Sequence, residues 1–161
     1  MDKATFLDNL ERGRAQWDAL LAQVDEARMA APGVADEWSL KDVIAHATWH
    51  EREMVGVIEA RALVGSELWA LPTDERNAVI FDENRDRPLN DVLAEAEQVY
   101  QQLVAGVQTL SDEDLVDPGR FDEMPAAWTP WQIIADNSYE HYLQHIPAVQ
   151  AWLAKQSTSE S

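Results

Sequence analysis

The chain has 161 residues, 46% of them apolar, and no cysteine; it is sized for one folded domain and excludes disulfides, thiolate metal ligands and a cysteine nucleophile. Thirty acidic residues against twelve Lys and Arg give a formal charge of −18, so the cationic face that nucleic acid or anionic lipid requires is missing. The N-terminal stretch lacks the apolar core of a secretion signal, and no uncharged stretch is long and apolar enough to cross a bilayer; a cytoplasmic protein is expected, without nucleic-acid or membrane partners.

Helical spacing dominates the chain and strand-like alternation is absent. The first segment runs from about Ala4 to Arg28, with Phe6, Leu10, Trp17, Leu20, Leu21 and Val24 on one stripe, and Ala31-Pro32-Gly33 breaks it. The second starts at Ser39, an N-cap with Asp42 three residues on, and continues through Val43, His46, Met54, Val57 and Ile58 to about Leu63. A linker from Gly65 to Arg87 contains Pro72 and a locally helical run from Thr73 to Phe81. The third segment opens at Pro88 and carries Leu89, Val92, Leu93, Ala96, Val99 and Leu103 towards Leu110. After a short turn and loop, Thr129-Pro130 opens the fourth, which runs to about Lys155 with Pro147 predicting a kink near residue 143. The expectation is an all-α four-helix bundle over residues 1–155, with a crossover between the second and third helices and a frayed polar tail over 156–161.

The four histidines form two pairs, His46/His50 and His141/His145, each four residues apart. That spacing puts both rings of a pair on one helix face. Both faces are apolar: Val43, His46, His50, Met54 and Val57 on the second segment; Ile134, Asn137, His141, His145, Val149 and Trp152 on the fourth. Imidazoles turned into a core without partners cost desolvation free energy, and a divalent cation would satisfy their lone pairs. Hydrogen bonds to Asn137, Tyr139, Tyr142 or backbone are the alternative; two inward pairs in one small bundle favour the metal. Asp42, one turn before His46, is placed either to fix its tautomer or only to cap the helix. Trp38, Trp49, Trp128, Trp131 and Trp152 flank these segments, as core side chains or as walls of an aromatic pocket. Nucleophile, P-loop and dinucleotide motifs are absent.

The run WSLKDVIAH, Trp38 to His46, resembles the second-helix signature of the DinB-like (YfiT-like) metalloenzyme superfamily, and SYEHYLQHIPAVQAWL, Ser138 to Leu153, resembles its last helix. NRDRPLNDVLAEAEQVY, Asn84 to Tyr100, is similar to the ClbS/DfsB branch. The resemblance implies a metal held by His46, His141 and His145. His50 stands outside that trio, as a fourth ligand, a pocket residue or, in the role assigned to it here, a catalytic base near metal-bound water. Imidazole ligands suit zinc or nickel. The resemblance further implies a hydrolase or a thiol-dependent transferase acting on a small reactive molecule, in detoxification or self-protection. The alternative is a non-catalytic binding protein that sequesters such a molecule around a structural histidine cluster. The expected partners are that small molecule and a second copy of the chain in a homodimer.

Overall fold

A computed structural model describes residues 1–159. Helix α1 (Lys3–Leu21) starts where the Asp2 side chain accepts the Thr5 N–H at 2.7 Å, and it buries Phe6, Leu10, Gly13, Trp17 and Leu20 at helical spacing. It stops before the expected Arg28, because the Asp25 side chain accepts from the Arg28 N–H and caps a separate turn, α2 (Glu26–Met29). A small antiparallel hairpin follows, β1 (Pro32–Ala35) and β2 (Trp38–Ser39).

Helix α3 (Leu40–Ala60) opens with the expected capping box: Ser39 accepts from the Asp42 N–H, and Asp42 accepts from the Ser39 N–H at 2.8 Å. Its first half is buried on every side, as befits the central helix of the domain. The linker holds α4 (Thr73–Asn84), one turn longer than its sequence indicates. Helix α5 (Leu89–Gln108) then lays Val92, Ala96, Val99, Leu103 and Val107 into the core, and α6 (Asp112–Val116) leads into a loop.

The single fourth helix expected from Thr129 is two helices, α7 (Pro130–Asp136) and α8 (Tyr139–Ser159). The break falls at Asn137-Ser138. There the Asn137 side chain donates to the Ile133 carbonyl at 2.9 Å and Ser138 Oγ donates to the Ile134 carbonyl at 2.6 Å, so both side chains compete with the backbone ladder. Pro147 lies inside α8 on its solvent face, and the helix continues past it. The tail expected to fray from residue 156 is helical as far as Ser159, which extends α8; residues 160–161 lie outside the described residues.

The contacts give the direction of each long helix. Lys41, near the start of α3, donates to the Arg87 carbonyl before α5; Arg52 pairs with Glu95; Ile58 lies against Gly106; Arg61 donates to the Thr109 carbonyl. α3 and α5 are therefore parallel. Lys3 reaches the Gln108 carbonyl while Arg14 reaches Glu97, so α1 opposes α5; His46 meets His145 while His50 meets Asn137, so α8 opposes α3. The bundle runs up, down, down, up, and the 61–88 segment carrying α4 is the crossover that two parallel neighbours require. The all-α bundle with a crossover between the second and third long helices stands as expected. No helix among the described residues is long and apolar enough to cross a membrane.

Candidate metal centre

All four histidines meet between α3 and α8. The Nε2 atoms of His46 and His141 lie 3.1 Å apart, and those of His145 and His141 lie 3.0 Å apart. One ring nitrogen offers either a proton or a lone pair, so His141 Nε2 satisfies at most one of these neighbours by a hydrogen bond. Nitrogens about 3 Å apart are close enough together to share one ion at bonds of about 2.1 Å. His50, set outside the trio on sequence grounds, belongs to the same cluster: one ring nitrogen from each of His46, His50 and His141 lies within 4.8 Å of the others.

The break before α8 explains the state of His50. Asn137 Nδ2 donates to Ile133, which turns Oδ1 towards His50, and Oδ1 lies 2.9 Å from His50 Nδ1. His50 Nδ1 therefore carries the proton and its Nε2 carries the lone pair. That Nε2 is buried and has no partner; the Nδ1 atoms of His46 and His141 are likewise buried and unpartnered. Asp42 does not orient His46: one of its oxygens serves Ser39, and the other is itself unpartnered.

Burial, above all, lowers the basicity of the cluster. It takes His46 down to about 3 and His50 to about 4, lowers His145, and takes His141 to about 2, with repulsion among the rings adding to it for His46, His50 and His141. At neutral pH the imidazoles are uncharged with lone pairs available, as metal coordination requires. A buried donor set of nitrogens, converging and short of hydrogen-bond partners, fits a divalent ion held by imidazole.

Aromatic rings wall the cluster. Trp38 meets His46 edge-on at 5.4 Å, and Trp49 and Trp69 meet His50 at 4.9 and 5.4 Å. Trp69 comes from the crossover and is held by Glu53, whose carboxylate accepts the indole N–H at 2.8 Å. Behind Trp69 and Asn137 opens a mainly apolar cavity of about 540 Å³, bounded also by Met54, Val57, Trp128 and Ile133. Trp128 thus lines a pocket as one expectation had it, whereas Trp152 is a core side chain. Trp69 carried no signal in the sequence, because its place depends on how the crossover docks. Next to the cluster, a second buried polar group joins α3, α8 and α1: Tyr142 donates to Glu51, and Arg14 Nη1 donates to the Tyr142 hydroxyl at 3.2 Å. Burial raises the Glu51 carboxyl to about 7, against the lowering effect of the Tyr142 hydrogen bond and the Arg14 charge.

Residues 10–145 match the family model of the mycothiol maleylpyruvate isomerase N-terminal domain. An uncharacterised protein of Escherichia coli UTI89 superposes with a TM-score of 0.77 at 15% identity, over 97% of this chain and 95% of its own. The sibling lethal factor precursor DfsB does so with a TM-score of 0.77 at 15% identity, over 97% of each chain. A Streptococcus pneumoniae protein superposes with a TM-score of 0.75 at 12% identity, over 96% of this chain and 91% of its own. These likenesses are of fold. No curated protein matches the chain in sequence.

Proposed function

The chain belongs to the mycothiol maleylpyruvate isomerase N-terminal domain family, of DinB-like fold, and from that premise we propose a metal-dependent enzyme acting on a small reactive molecule, by hydrolysis or by thiol transfer. The observation that carries this is the approach of His46 and His145 to His141 at 3.1 and 3.0 Å between Nε2 atoms. His46, His141 and His145 are the residues that would hold the ion. Bound there, a divalent ion supplies a lowered pKa to a coordinated water or thiol. His50, with an unshared pair on Nε2 and its tautomer set by Asn137, would accept the hydrogen bond of that nucleophile and orient it, taking its proton only as the reaction proceeds. The apolar cavity beside Trp69 would take the body of the substrate and exclude bulk water.

The test is metal analysis of the untagged protein purified without added metal. About one equivalent of zinc or nickel is expected. Replacing His46, His141 or His145 by Ala should empty the site, while His50→Ala should keep metal and lose turnover. Metal lost equally from His50→Ala would make His50 a ligand. Metal in no preparation would favour the second reading, a protein that sequesters a small molecule, which the 540 Å³ cavity supports. Recovery of an added electrophile unchanged, rather than as hydrolysed or thiol-linked product, separates that reading from the enzyme.

A further inference from the structure

The chain carries nine arginines among thirty acidic residues. Eight of them pair with a carboxylate: residues 12, 14, 28, 52, 61, 85, 87 and 120. Arg76 does not pair with any among the described residues. It sits in the first turn of α4, half-buried, and its Nε is fully enclosed with no partner. Its polar contact is a long one, 3.5 Å from Nη1 to the Leu71 carbonyl. Its guanidinium lies over the Trp69 ring, 4.8 Å from the centroid, and Trp69 in turn abuts His50. The charge is close enough to the cluster to count among the causes that lower His46 and His50.

A partly enclosed cation costs desolvation unless an anion answers it. In a chain with so large an acidic surplus, a carboxylate could have been supplied from almost any neighbouring position, and here none is. We propose that Arg76 is an anchor for the carboxylate of a monoanionic small molecule, held beside the histidine centre with its apolar body against Trp69. The planar guanidinium fork matches a carboxylate, and Trp69 beneath fixes the plane of the fork. Phosphate shares this chemistry. A single guanidinium balances one negative charge, and the Trp69 wall and adjoining cavity suit an apolar body, so the monocarboxylate is favoured over the phosphate dianion. The inference takes from the proposed function that the histidine cluster is where substrate binds; it does not depend on the ion being present.

The experiment is calorimetric titration of the full chain, as purified and after chelation, with benzoate, benzamide and inorganic phosphate. Benzoate should bind at least tenfold more tightly than benzamide and than phosphate. Arg76→Gln should weaken benzoate at least tenfold and leave benzamide unchanged, while Arg76→Lys, which keeps charge but not the fork, should fall between. Equal binding of benzoate by wild type and Arg76→Gln would overturn the proposal, as would equal binding of benzoate and benzamide by wild type, or no binding of benzoate at all. Phosphate binding more tightly than benzoate would overturn the monocarboxylate assignment. If Arg76→Gln fails to fold, the benzoate-to-benzamide ratio in Arg76→Lys decides in its place: an unchanged ratio overturns the proposal, and a reduced one supports it. Discrimination that survives in metal-free protein, where no purified sample holds metal, would sink the enzyme reading alone. A metal-bearing protein that does not discriminate would sink this inference alone.

Discussion

Asn137 acts at one remove from the chemistry. Its amide is pinned by the Ile133 carbonyl and so cannot present its nitrogen to His50. Replacing it by Ala removes the acceptor that keeps the His50 proton on Nδ1. The expected result, read from imidazole nitrogen shifts in metal-free protein, is a change from one His50 tautomer to a mixture, with metal affinity or turnover falling about tenfold, the usual effect of losing such an orienting partner. An unchanged tautomer would mean that the cavity, not Asn137, sets the proton. The inward direction of His46, His50, His141 and His145 was legible from their spacing on apolar stripes. Asn137 was legible as a stripe member but not as the orienter of His50, since that role needs the helix break beneath it. Arg76 and Trp69 were not legible as site residues, because a local pattern does not say which face of a crossover is pressed against the bundle.

Among the elements, α1 and α8 approach tightly at Gly13. A Cβ there would lie 2.6 Å from Tyr139 Cβ and 3.4 Å from Tyr139 Cα, atoms that cannot swing aside. Gly13→Ala gains about 1 kcal/mol of helix propensity but forces an overpacked contact costing roughly 1–3 kcal/mol. The net expectation is a lower urea midpoint with an unchanged slope. A raised midpoint would show that the two helices part without cost. Tyr139 is the first residue of α8, so any such shift also displaces the turn that aims Asn137. The start of α3 was readable to the residue because Ser39 and Asp42 form a reciprocal pair that has few other uses. The end of α1 was not, because Asp25 reads equally as a helical surface residue and as a new cap. In the last helix the strongest breaker by composition, Pro147, sits on the solvent face and is tolerated, while Asn137-Ser138, weaker by propensity, has buried partners and ends the helix.

At the level of the whole molecule, the cluster sets how stability responds to acid. His46, His50 and His141 hold their folded values far below the ordinary 6.5 of the unfolded chain, and burial lowers His145 in the same direction. Below pH 6.5 the unfolded state binds more protons, so metal-free protein should lose stability as the pH falls from about 6.5 towards 4, by up to about 1.4 kcal/mol per pH unit per histidine. Glu51 works the other way: its raised value gives stability that is full below about 4.5 and lost as the pH rises through about 7. It offsets about one of the strongly lowered histidines. Melting temperatures of metal-free protein should therefore drop across this window, and Glu51→Gln should steepen the drop; a flat profile would mean the rings are protonated in the fold. Moderate salt should be present, since acid also relieves the self-repulsion of a −18 chain. The parallel pair α3 and α5 has a further consequence, for the order in which the chain folds. Between them the backbone must travel back along the bundle, and His46 meets His141 from 95 positions away. No local hairpin can form the histidine cluster in advance of the rest. The long loops must close first, at an entropic cost that only late contacts recover. Assembly of the four imidazoles thus waits on the docking of α8 against α3, and a probe placed on them would report the closing of that long-range contact rather than local helix formation.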